Sequence, residues 1–111
     1  MADAVELFDR IANELAARPG VQRAKMFGMP GVKFKGKAFT GLFDETMVFK
    51  LGAGTPTHIG ALALKGASLW DPSQMGRPFK DWVQVPLAQS KRWPEFAERA
   101  FALASGAKGA G

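Results

Sequence analysis

Residues 31–38 read GVKFKGKA, placing Gly31, Gly36 and Lys37 at the spacing of the phosphate-binding signature Gly-x-x-x-x-Gly-Lys-Ser/Thr, with Ala38 where the hydroxyl belongs. Such a loop sits between a buried strand and a helix, so that backbone N–H groups converge on phosphates while the hydroxyl holds Mg²⁺. Neither condition is met. Val32-Lys33-Phe34-Lys35 alternates apolar and polar residues, AFTGLF after Lys37 also reads as strand, and Ala38 cannot ligate a metal. The stretch is predicted to be a β-hairpin with its turn at Gly36-Lys37. LGAGTP, with Gly52 and Gly54 but no third glycine, reads as a strand-to-helix turn.

Other chemistry is scarce. There is no Cys and no Tyr, and the single imidazole, His58, has no carboxylate near it in sequence to complete a metal site. Ser68, Ser73, Ser90 and Ser105 lie outside any Gly-x-Ser-x-Gly elbow, and Asp44, Glu45 and Asp71 occupy turn-like stretches where carboxylates are ordinarily solvated. No catalytic, cofactor-binding or metal-ligating residue is assigned, and a non-enzymatic protein is expected.

Charge offers more. The net charge is +5 with a pI near 9.9; residues 1–31 are neutral, and residues 32–66 carry +3. Lys33, Lys35, Lys37 and Lys50 in that segment are the candidate nucleic-acid contacts, because single strands bind basic sheet surfaces that also offer stacking aromatics. The expected strand register turns the phenylalanines away from these lysines. A solvated lysine face is then the simpler description, with nucleic-acid binding as the alternative. A second candidate surface is the apolar turn MFGMPG, where Met26, Phe27, Met29 and Pro30 are candidate protein contacts unless the turn folds back onto the sheet.

These residues must be positioned by regular elements. Asp3 to Ala17 carries Val5, Phe8, Ile11, Ala12 and Leu15 at helical spacing, with Asp3 as N-cap. Val21–Met26 is a short extended run. A three-stranded meander follows, with Val32, Phe34, Phe39, Phe43, Met47, Phe49 and Leu51 on one face and a three-residue turn at Asp44-Glu45-Thr46. A short helix capped by Thr55 should bury Ile59, Leu62 and Ala63, two strands lie at Ser68–Trp70 and Asp81–Val85, and a last helix places Pro94 in its first turn. Trp70, Trp82 and Trp93 are expected in the core or an interface. The order α-β-β-β-α-β-β-α implies an α+β two-layer sandwich, an antiparallel sheet with helices on one side. A chain of 111 residues fits one domain, 1–105, with 106–111 as a flexible tail. The acidic start MADAVELFDR, the lack of any apolar run near the ~20 residues of a membrane span and the absence of Cys point to the cytoplasm.

Lys25-Met26-Phe27-Gly28 with Gly31, then Gly36-Lys37-Ala38-Phe39, then Val48-Phe49-Lys50-Leu51, and then MGRPFKDWVQVP followed by Trp93, together resemble the N-terminal domain family of TfoX/Sxy competence regulators. The similarity runs from about Val5 to Ala104; Met29 stands where a second glycine is common. The resemblance implies the same α+β order and a stand-alone domain without the helical C-terminal domain. It also implies a link to transcriptional regulation, and it offers no catalytic residue or cofactor to carry over. The expectation is an interaction module, possessing a protein partner or self-association as its mode of action and nucleic acid as the alternative.

Overall fold

Asp3 starts the first helix as its side chain predicts: Oδ1 accepts the Glu6 N–H at 2.9 Å, a cap that contributes about 1 kcal/mol. Helix α1 (Ala4–Ala16) buries Ala4, Phe8, Ile11, Ala12 and Leu15. Val5, expected in that stripe, is 53% exposed, and Ala4, four residues before Phe8, takes its place. The structure is a computed structural model that describes residues 3–26, 28–72, 76 and 78–106. Phe27 and most of the expected tail lie outside the described residues.

Four strands follow α1 rather than three: β1 (Val21–Met26), β2 (Met29–Phe34), β3 (Lys37–Phe43) and β4 (Thr46–Lys50). The extended run before MFGMPG is itself a strand, paired with β2 from Val21–Phe34 to Met26–Met29. Then come α2 (Pro56–Leu62), β5 (Ser68–Trp70), β6 (Phe79–Pro86), 3₁₀ turns over Leu87–Arg92, and α3 (Trp93–Ala104). The strands form one sheet in the order β1-β2-β3-β4-β6-β5, every neighbouring pair antiparallel. The α+β class holds, with the helices packed on one face.

Both expected hairpin registers are corrected. The β2–β3 turn is Lys35-Gly36, with φ of 48° and 86°, and Phe34 pairs with Lys37. Two positive φ values suit the right-handed twist of the flanking strands, and glycine can supply only one of them. Continued in this register, Phe39 would face the core opposite Val32; the pairing instead skips it between Val32–Thr40 and Lys33–Ala38, and this bulge keeps Phe39 buried while changing the parity of β3 beyond it, so that Thr40 is buried as well. The β3–β4 turn is two residues, Asp44-Glu45; Leu42 pairs with Met47 and Phe43 with Thr46. A one-residue slip exchanges faces. Leu42 therefore joins the helix-side core and Phe43 leaves it.

The helix-side core places Val32, Phe39, Met47, Phe49, Val83 and Val85 of the sheet against Phe8, Leu15, Trp93 and Phe96 of the helices. Phe49 and Phe96 meet edge to face at 5.7 Å. Pro94 sits in the first turn of α3, where its missing N–H costs nothing, and the preceding Trp93 donates from Nε1 to the Val85 carbonyl at 3.2 Å. Helix α2 is rotated from the expected orientation. His58 and Ala61 face inward, while Ile59 is 60% exposed and Ala63 is exposed. In so short a helix polar anchors set the rotation: Thr55 Oγ1 accepts the His58 N–H at 3.2 Å, and His58 Nε2 donates to the Lys80 carbonyl at 2.7 Å.

Candidate functional site

Cross-strand partners share a face, so the register also defines what lies on the side of the sheet away from the helices. One row there is Ala24, Gly31, Gly41, Val48, Gln84 and Ser68. To one side of it lie Gln22, Lys33 and Ala38 and the pair Lys50–Trp82; to the other lie Met26 and Met29, then Phe43, Thr46 and Pro86. No helix among the described residues covers this face. It is nonetheless not simply wet: Met26, Val48 and Trp70 are buried there, with Met29, Ala38, Phe43 and Trp82 packed against them.

Two devices bury so much apolar surface without a helix. The first is the facing glycine pair Gly31–Gly41, whose missing side chains leave room for methionine. A Cβ on Gly31 would stand 2.9 Å from Met26 Cγ, and one on Gly41 would stand 2.9 Å from Met26 Cε, 3.1 Å from Met29 Cε and 3.0 Å from the Pro30 carbonyl oxygen. Met26 thus lies along the sheet surface over both glycines. The second device is Trp70, fully buried from the short outer strand β5. Its ring is surrounded by Trp82 at 5.2 Å, Phe79 at 5.4 Å and Phe43 at 5.9 Å, all in tilted or edge-on contact, arrangements that suit the ring quadrupoles.

The structure separates the residues the sequence had grouped. Among the lysines, Lys33 and Lys50 share the helix-free face and are half-buried. Lys35 instead stands in the hairpin turn, with Nζ 5.4 Å from the centre of the Phe34 ring, on the helix side. Lys37 is Phe34's partner at the same tip and is exposed. Among the apolar-turn residues, Met26 is buried, Met29 half-buried and Pro30 exposed in β2. Phe43 reaches the lysine face because the β3–β4 turn is one residue shorter than expected, and Trp82 reaches it through the pairing of β6 with β4. A usable signal was present in Trp82-Val83-Gln84-Val85, whose alternation sends Trp82 and both valines to opposite sides.

Charge is unevenly placed along the chain. The strands β1–β4 contain Arg23, Lys25, Lys33, Lys37 and Lys50 and no carboxylate. Carboxylates of α1 and α3 neutralise arginines on the helix side: Arg23 meets Asp9 at 2.7 Å, Arg92 meets Glu95 at 2.7 Å, and Arg18 grips Glu98 through both guanidinium nitrogens, one at 2.8 Å. The hydrogen bond from Arg18 holds the Glu98 carboxyl below the usual carboxylate range against the opposing effect of its burial, and Arg92 does the same for Glu95. Lys33 and Lys50 take part in none of these pairs.

Known families, characterised proteins and solved structures give no match to this chain. His58 is buried, and its ring Nε2 donates to the Lys80 carbonyl. Among the described residues no three of His, Cys, Asp and Glu gather in a way that could hold a metal ion. No described helix is long and apolar enough to cross a membrane.

Proposed function

We propose that the protein is a non-enzymatic interaction module whose contact surface is the helix-free face of the sheet. The observation that carries this reading is the combination on that face of half-exposed rings, Trp82 and Phe43, with Lys33 and Lys50, beside Phe79 at 40% exposure. Rings held by a buried neighbour lose little freedom on contact, which lowers the cost of binding. The turn at Met26–Pro30 is the weaker surface, because Met26 is occupied in filling the glycine groove. The resemblance to TfoX/Sxy N-terminal domains adds a regulatory setting to this reading.

The test is capture from lysate on immobilised wild type, Trp82→Ser, Lys50→Glu and a helix-side control, Ile59→Ser, with retained protein and nucleic acid both assayed. A retained species lost with the first two variants and kept with the third supports the proposal. Retention of nothing by the wild type, or loss confined to Ile59→Ser, would overturn it.

A further inference from the structure

We infer that the occupant of this face is single-stranded nucleic acid, with a base stacked on Trp82 and the backbone held by Lys33 and Lys50. The inference rests on the reading just given and deepens it. Three observations converge. Lys50 and Trp82 are direct cross-strand partners, so a cation and a ring stand side by side, with Lys33 on the same side of the sheet. Strands β1–β4 contribute no carboxylate to oppose a phosphate. Trp82 is fixed by its 5.2 Å contact with the buried Trp70 while remaining half-exposed, which provides a pre-set surface for a base.

That combination favours single strands over duplexes. A paired base has both faces covered by its neighbours and cannot stack on a side chain, whereas an unpaired base of any identity can. It also favours nucleic acid over an acidic peptide, because a peptide carboxylate satisfies the lysines and leaves the ring without a flat partner. The expected selectivity is for strand state, with little sequence preference.

Titration with oligo(dT), oligo(U) and a duplex of equal length, read by tryptophan fluorescence, tests this directly. Trp70 and Trp93 are fully buried, so quenching by a stacked base reports Trp82. Both single strands should quench and bind more tightly than the duplex. Two lysine–phosphate contacts predict that log K falls against log salt with a slope of about −1.4, and Lys33→Gln or Lys50→Gln should each reduce that slope by roughly half. Trp82→Ala should weaken binding about ten- to hundred-fold, the range of one lost base stack, with Trp82→Phe retaining most of it. Lys91→Gln, an exposed position in the 3₁₀ turns before α3, should change nothing. Equal binding of duplex and single strand, or an unaltered Kd in Trp82→Ala with its circular dichroism spectrum intact, would overturn the inference. Absence of any oligonucleotide binding at low salt would overturn it too, yet leave the broader reading standing if a captured protein still depends on Trp82 and Lys50.

Discussion

The two faces of the sheet bury aromatic rings by different means. On the helix side Phe8, Phe96 and Trp93 come from helices laid over the sheet, and ordinary amphipathic patterning brings them there. On the other side the sheet covers itself: Met26 lies over a glycine pair, and Trp70 lies beneath Phe43, Phe79 and Trp82. A layer of side chains without a helix above it leaves its outermost rings half-exposed. The same cluster therefore packs the sheet and keeps two of its rings accessible, whereas the helix-side core is closed over by helices.

Substitutions that treat the two faces as equals provide the sharpest tests. Phe96→Ala should cost about 3–5 kcal/mol in chemical denaturation, and Trp70→Ala should cost as much if the self-covered cluster is a second core. A cost near 1 kcal/mol for Trp70→Ala, within the ordinary range for a point mutant, would reduce that cluster to a surface feature. Gly41→Ala should destabilise by about 1–3 kcal/mol, because the Met26 and Met29 methyls can move but the Pro30 carbonyl at 3.0 Å cannot easily do so. A neutral result would mean that the glycine groove is not what seats the methionines.

Smaller effects probe the margins of the sheet. Lys35 holds φ 48° in the β2–β3 turn, a conformation that asparagine tolerates far better. Lys35→Asn should therefore raise stability by about 0.5–1 kcal/mol, seen as a higher Tm without loss of any contact on the helix-free face. Last comes the helix-side ion pair. Because Glu98 is lowered in the folded state, its stabilisation is present above the unfolded carboxylate value and is lost as pH falls through the folded one. Glu98→Gln should flatten that acid-side dependence, by no more than about 1 kcal/mol for so exposed a pair, in urea titrations between pH 6 and pH 3. An unchanged pH profile would remove the pair from the account of stability.

The candidate site was only partly legible in the sequence. Lys33 and Lys50 were recognised as sharing a face because simple alternation fixes them relative to Val32, Phe34, Phe49 and Leu51. Phe43 was placed on the wrong side by a single residue of turn length, and Leu42 took its place. Lys35 leaves the lysine face for a different reason: the β2–β3 turn keeps its two-residue length but lies one residue earlier, at Lys35-Gly36. Trp82 and Trp70 were recognised as apolar, but their meeting depends on β5 and β6 pairing beside β4, a contact between distant parts of the chain.

By itself the sequence determined what depends on neighbours along the chain. That includes the Asp3 and Thr55 caps, the stripe of α1 from Phe8 to Leu15, the Pro94 entry to α3, the α+β class, and the identification of GVKFKGKA as a hairpin rather than a phosphate loop. Only the tertiary structure decided which side each strand residue faces, because a bulge at Phe39 and two turn lengths set the parity of everything after them. It also decided the rotation of α2, where two hydrogen bonds through His58 outweigh an apolar stripe too short to act alone. The rings beside Lys50 follow from the same cause. Strand parity is a one-residue quantity, and only the paired sheet fixes it.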